Sequence, residues 1–159
     1  MSESKTLESP PEAKDRYQTL VEFLEEPMLK ICVELKGGLE RNEYGIIVGD
    51  DTSGRLPTLA LKGFSDFVAD QNHTERLPTV FLQAGRIARD EDIVSQFKRR
   101  VLSRKQIQGK KALIVTEEIL SGRSINRLME IFKAQGLPFD LVVLRLNNEL
   151  DQSKLEIPK

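Results

Sequence analysis

The chain has 159 residues, with 24 Lys or Arg against 25 Asp or Glu, giving a formal net charge of −1. Charged residues at 31% and hydrophobic residues at 39% describe one soluble globular domain large enough to bury a real core. A single Cys32 and a single His73 exclude an internal disulfide and a Cys/His metal cluster. With no apolar run of membrane-spanning length and no apolar signal-peptide core, they point to a reducing cytoplasm.

Residues 1–13 are polar with two prolines and are expected to be disordered. Residues 14–41 read as two helical segments broken at Pro27. The first carries Leu20, Val21, Phe23 and Leu24; the second carries Met28, Ile31, Cys32, Leu35 and Leu39. Cys32 therefore reads as a small hydrophobe rather than a nucleophile. Tyr44–Val48 is the first core strand. It is followed by Gly49-Asp50-Asp51-Thr52-Ser53-Gly54-Arg55-Leu56-Pro57, where Pro57 suits the first turn of a helix. Leu56, Leu59, Ala60, Gly63, Phe64, Phe67 and Val68 continue at helical spacing. His73 lies in a polar run and reads as a loop residue.

Pro78–Gln83 is the second strand, with Thr79–Leu82 as its apolar part. Residues 86–111 then hold nine Lys or Arg against three acids. Ile93, Val94, Phe97 and Val101 in this stretch suggest an amphipathic helix. Ala112–Val115 is an unbroken apolar run, the pattern of a strand buried on both faces. Glu117 and Glu118 follow, then Ser121-Gly122-Arg123-Ser124. Ile125, Leu128, Met129 and Phe132 then fall at i, i+3, i+4 and i+7 of a helix. Asp140–Leu146 is the fourth strand, and 147–159 is a polar tail without a clear fifth. The alternation predicts an α/β fold with a central parallel sheet of four to five strands, comprising a helical element over 14–41 and a core over 44–146.

Carboxylates at the C-terminal end of a strand, followed by hydroxyls at a helix N-terminus, are suited to a phosphorylated sugar. The unpaired amides and dipole of the helix end attract phosphate, while carboxylates beside it take sugar hydroxyls or hydrated Mg²⁺. Residues 112–124 resemble the phosphoribosyl diphosphate (PRPP) signature of the type I phosphoribosyltransferases. Ala112–Val115 match its strand, and Ser121, Gly122 and Ser124 match its phosphate loop. In register the family's first acid falls on Thr116 and its second on Glu117, with Glu118 one place beyond.

The resemblance implies a three-layer phosphoribosyltransferase-like fold. It assigns Glu117 and Glu118 to the ribose hydroxyls, and Ser121, Gly122, Arg123 and Ser124 to the 5′-phosphate. Asp51, Thr52, Ser53, Gly54 and Arg55 resemble the pyrophosphate loop that follows the first core strand. Arg99, Arg100, Arg104 and Lys105 fall where the family carries a mobile flap. Mg²⁺ would enter with PRPP, and the 5-phosphoribosyl group would pass to a nucleobase or other nitrogen nucleophile with loss of pyrophosphate. A homodimer is compatible with the N-terminal element. Other readings are a catalytically silent PRPP sensor, a structural α/β subunit, or a nucleic-acid-binding surface on the basic stretch, although few aromatics accompany its charges.

Overall fold

The computed structural model describes residues 11–50, 54–85, 87–119 and 123–146, with side chains from residue 25 onward except those of residues 118, 119, 145 and 146. Helix α1 (Pro11–Glu40) leads into strand β1 (Tyr44–Asp50), helix α2 (Arg55–Asn72) and strand β2 (Thr79–Leu82). Helix α3 (Asp90–Phe97) continues through a π-helical turn (Lys98–Leu102) and a 3₁₀ turn (Lys105–Ile107) into strand β3 (Lys111–Ile119). Helix α4 (Arg123–Ala134) and strand β4 (Phe139–Leu146) complete the described chain. The four strands form one parallel sheet in the order β2-β1-β3-β4. The predicted α/β class and four of the expected strands are present; the tail, 147–159, lies outside the described residues.

Helices cover both faces of the sheet, so the strands are apolar on both sides. One face carries Ile46, Val48, Val80, Leu82, Ala112 and Ile114, packed against Ile93 and Phe97 of α3, Val101, Ile107 and the buried face of α4. The other carries Ile47, Leu113, Val115 and Val142 against Leu39 of α1 and Leu61 and Val68 of α2. On α4 the buried side chains are Ile125, Leu128, Met129 and Phe132, the four that sequence spacing places on one face.

Three local expectations differ from the structure. Helix α1 is continuous from Pro11 to Glu40 with Pro27 inside it. Proline removes one backbone donor and crowds the preceding turn. Beyond it, however, Met28, Ile31, Leu35 and Leu39 line one side of the helix and pack on the sheet, and tertiary packing overrides the break. The helix also begins inside the stretch expected to be disordered; Pro11 suits a first helical turn, and residues 1–10 lie outside the described residues.

Strand β3 runs through Glu117 and Glu118 to Ile119, which puts the carboxylates at the strand's C-terminal end as expected.

Helix α2 turns a different face inward from the one its leucines suggest. Its buried residues are Pro57, Thr58, Leu61, Ser65, Val68 and Ala69, while Leu56, Leu59 and Phe67 are 51%, 58% and 60% exposed. Small side chains let the helix lie close to the sheet. Ser65 satisfies its hydroxyl within the helix by donating to the Lys62 carbonyl at 3.0 Å.

Strand β1 begins with an irregularity between Tyr44 and Ile46. The extra residue sends both Tyr44 and Ile47 to the α2 face, although three positions separate them. The residue between is Gly45. A β-carbon there would lie 2.2 Å from the Gln106 carbonyl oxygen and 2.7 Å from the Ile107 Cα, so the 3₁₀ turn seats directly on the strand backbone. Gly45→Ala is expected to lower unfolding free energy by about 1–3 kcal/mol, the usual cost of overpacking. Urea denaturation checks this through a lower midpoint at unchanged slope.

At the same end of the sheet the Tyr44 hydroxyl donates to Asp140 Oδ2 at 2.6 Å, and Lys111 Nζ lies 3.4 Å from the same oxygen. Burial, reinforced by the hydrogen bond and by the charge of Asp140, holds the Tyr44 phenol well above the usual tyrosine range. The unfolded chain releases this proton near pH 10, while the folded chain retains it. Above pH ~10 the unfolded state therefore binds fewer protons, and stability falls as pH rises. Comparing denaturation of the native chain and Tyr44→Phe between pH 8 and 11 isolates this contribution: the alkaline fall should be shallower in the variant.

Candidate functional site

The chain leaves β1 toward β2 on one side and returns to β3 on the other, so the carboxyl ends of β1 and β3 lie side by side where the winding reverses. Ligands of open α/β sheets bind in the crevice at this switch point. Gly49 pairs with Val115 across the two strands. One residue further, Asp50 closes β1 at 5% exposure and Thr116 extends β3 at 1%. Glu117 is half-buried at the next position.

Beyond β1, the backbone at Gly54 lies over the end of β3. Gly54 N–H donates to the Asp50 carbonyl at 2.8 Å, and Thr58 N–H to the Gly54 carbonyl at 2.9 Å, which starts α2. A β-carbon at Gly54 would lie 2.6 Å from the Val115 carbonyl oxygen and 2.7 Å from that of Asp50. No side chain fits there; the backbone at residue 54 rests on the end of the signature strand. Gly49 serves a similar approach on the α2 face, because a β-carbon on it would meet Thr58 Oγ1 at 2.6 Å and the Phe81 ring at 2.8 Å.

Of the predicted ribose-, phosphate- and pyrophosphate-binding residues, Gly54, Arg55, Glu117, Arg123 and Ser124 are fully described. The Glu118 backbone pairs with Arg145 of β4. Asp51, Thr52, Ser53, Ser121 and Gly122 lie outside the described residues. Arg55 is exposed at the start of α2, with its guanidinium 5.5 Å from the centre of the Phe81 ring. Arg123 and Ser124 form the first turn of α4, where backbone donors lack helical partners. The structure thus brings Gly54 onto the strand that carries Glu117.

Where the resemblance implies a mobile flap, the structure has a packed segment. Ile93, Phe97, Val101 and Ile107 are buried in the core, and the Phe97 ring meets Phe132 edge-on at 4.7 Å. Arg99, Arg100, Arg104 and Lys105 are exposed on this anchored segment. Arg100 Nη1 donates to the Phe81 carbonyl at 2.9 Å.

Three contributors escape the sequence reading. Asp50 looked like loop, and only the extension of β1 to its position makes it a buried strand end. Phe81 looked like core, yet it sits half-buried at the sheet edge. Arg127, on α4, had no sequence signal at all. Its guanidinium donates to the carbonyls of Ala84 (3.3 Å), Gly85 (3.1 Å) and Ala88 (2.6 Å), and through Nε to Asp90 Oδ1 at 2.8 Å. It pins the connection between β2 and α3 onto α4.

No family model and no curated protein matches this chain.

Arg127→Ala should leave three carbonyls without that donor and cost about 1–3 kcal/mol. Amide hydrogen exchange in residues 84–90 is expected to accelerate at least ten-fold, with the β1 and β3 amides unchanged.

Proposed function

We propose that the switch-point crevice binds PRPP with Mg²⁺ and that the chain transfers its 5-phosphoribosyl group to a nitrogenous base with release of pyrophosphate. The observation that carries this reading is the seating of Gly54 on the Val115 carbonyl. It joins a turn of pyrophosphate-loop sequence to the strand of PRPP-signature sequence, with Glu117 two residues further along.

In this arrangement Glu117 accepts hydrogen bonds from the ribose hydroxyls, assisted by Glu118. The amides and hydroxyls of the segment 121–124 hold the 5′-phosphate at the start of α4. Arg55, with the pyrophosphate-loop sequence at 51–54, takes the pyrophosphate, where a guanidinium offers bidentate donation. Asp50 and Glu117 present hard oxygen donors of the kind Mg²⁺ takes, and the ion, chelated by the diphosphate, would neutralise charge on the leaving group. The chain's own contribution to rate is positioning and stabilisation of that developing charge.

A second reading, a PRPP sensor without catalysis, is favoured by Thr116. Its position corresponds to the family's first acid and is 1% exposed, so one of the two usual ribose carboxylates is replaced by a buried hydroxyl.

Calorimetric titration with PRPP and Mg²⁺ tests both readings at once. Saturable binding is expected, and Glu117→Ala should weaken it roughly ten- to a hundred-fold, the value of one or two charge-assisted hydrogen bonds, while inorganic pyrophosphate still binds. Pyrophosphate release with a panel of bases then separates enzyme from sensor. Absence of any PRPP binding would leave a structural subunit.

A further inference from the structure

The basic segment carries more charge than one pyrophosphate requires, and the structure shows where that charge goes. Arg41, Arg76, Arg89 and Arg127 each hold a carboxylate. Arg99, Arg100 and Arg104 hold none among the described residues. Instead they converge on the free edge of β2. There, an open cleft of about 490 Å³ is lined by Arg55, Phe81, Gln83, Gln96, Arg100 and Arg104. A second cleft of about 840 Å³ adjoins it, sharing Gln83, Gln96 and Arg100 and adding Arg99 and Gly85. The one acid among the described residues of this second lining, Asp92, is engaged by Arg89 at 3.1 Å.

We infer that this groove, running around the edge of β2 and along α3, binds single-stranded nucleic acid. Its length argues against a lone phosphate, since the larger cleft alone has the volume of a small-molecule site and the pair continues past it. Its chemistry is mixed in the way a nucleotide strand requires. Guanidinium groups spaced along the groove meet successive phosphates. The half-buried Phe81 ring, with the Arg55 guanidinium 5.5 Å from its centre, forms a stacking platform together with the other arginine planes, and the Gln83 and Gln96 carboxamides offer both donors and acceptors to base edges.

An extended peptide adding to the sheet is a poorer occupant. The Pro78 carbonyl accepts from Ile47 of β1 at 2.9 Å, so by the two-residue alternation of a strand the Phe81 carbonyl points to the free edge. Arg100 caps that carbonyl, which blocks the main-chain ladder such a peptide needs. A duplex keeps its base faces stacked inside and cannot use Phe81.

The inference does not depend on PRPP binding and is tested without it. Fluorescence anisotropy with a labelled RNA of about eight nucleotides, within the site size of comparable grooves, should show saturable binding that weakens with salt. The logarithmic slope should be about −0.7 per phosphate contacted. The exposed double variant Arg100→Gln/Arg104→Gln should lose at least ten-fold in affinity and flatten that slope by about 1.4, two contacts' worth. Phe81→Leu should lose roughly ten-fold with the slope unchanged, because stacking is not ionic. A DNA strand of the same sequence binding comparably, or more weakly, supports the same groove. Three results would overturn the inference: no RNA binding at low salt, equal binding by the double variant, or displacement of the RNA by an acidic peptide at matched charge concentration.

Discussion

A backbone contact organises the functional end of this molecule. Gly54 lies so close to the Val115 carbonyl that a methyl group could not come between them. That contact fixes where α2 begins, and with it which side of α2 meets the sheet. It places Thr58 over Gly49 and sets Arg55 beside Phe81. It also brings Gly54 across the end of β3, so residues more than sixty positions apart in sequence meet at one sheet edge. The strand order makes this possible, because only neighbouring strands with diverging connections leave such a crevice open.

The architecture was legible because its signals are redundant. Apolar runs at 44–48, 79–82, 112–115 and 141–144 are each bounded by polar turns, and α4 has a narrow apolar face that admits one orientation only. Helix α2 was legible as a helix but not in its rotation. It is apolar over a wide arc, and the choice of face falls to small residues, Thr58, Ser65 and Ala69, whose fit to the sheet leaves no hydropathy trace. Pro27 misled for a related reason: a local rule about backbone donors was outweighed by contacts from Met28, Ile31, Leu35 and Leu39 to residues far along the chain. The candidate site was legible as two motifs; what joins them, Gly54 against Val115, depends on strand order, which no local pattern encodes.

The arginines divide by what surrounds them more than by where they fall in sequence. Arg89 and Arg100 are near neighbours in one basic run, yet Arg89 is matched by Asp92 in the first turn of α3 while Arg100 holds a main-chain carbonyl at the sheet edge. Counting charges along the run makes them equivalent. The fold separates charge that is neutralised internally from charge that faces a cleft, and only the latter contributes to the local potential felt by an approaching anion.

Arg127 illustrates the converse. It lies one turn into the helix whose first residues carry the candidate phosphate loop, where an arginine invites assignment as a ligand. Its donors are already spoken for by three carbonyls and Asp90. A lysine could not replace it, since a single ammonium cannot span acceptors laid out to match a planar fork. The consequence is mechanical: α4 and the connection above β2 are stitched into one body, so a disturbance at either reaches the other without passing through the sheet.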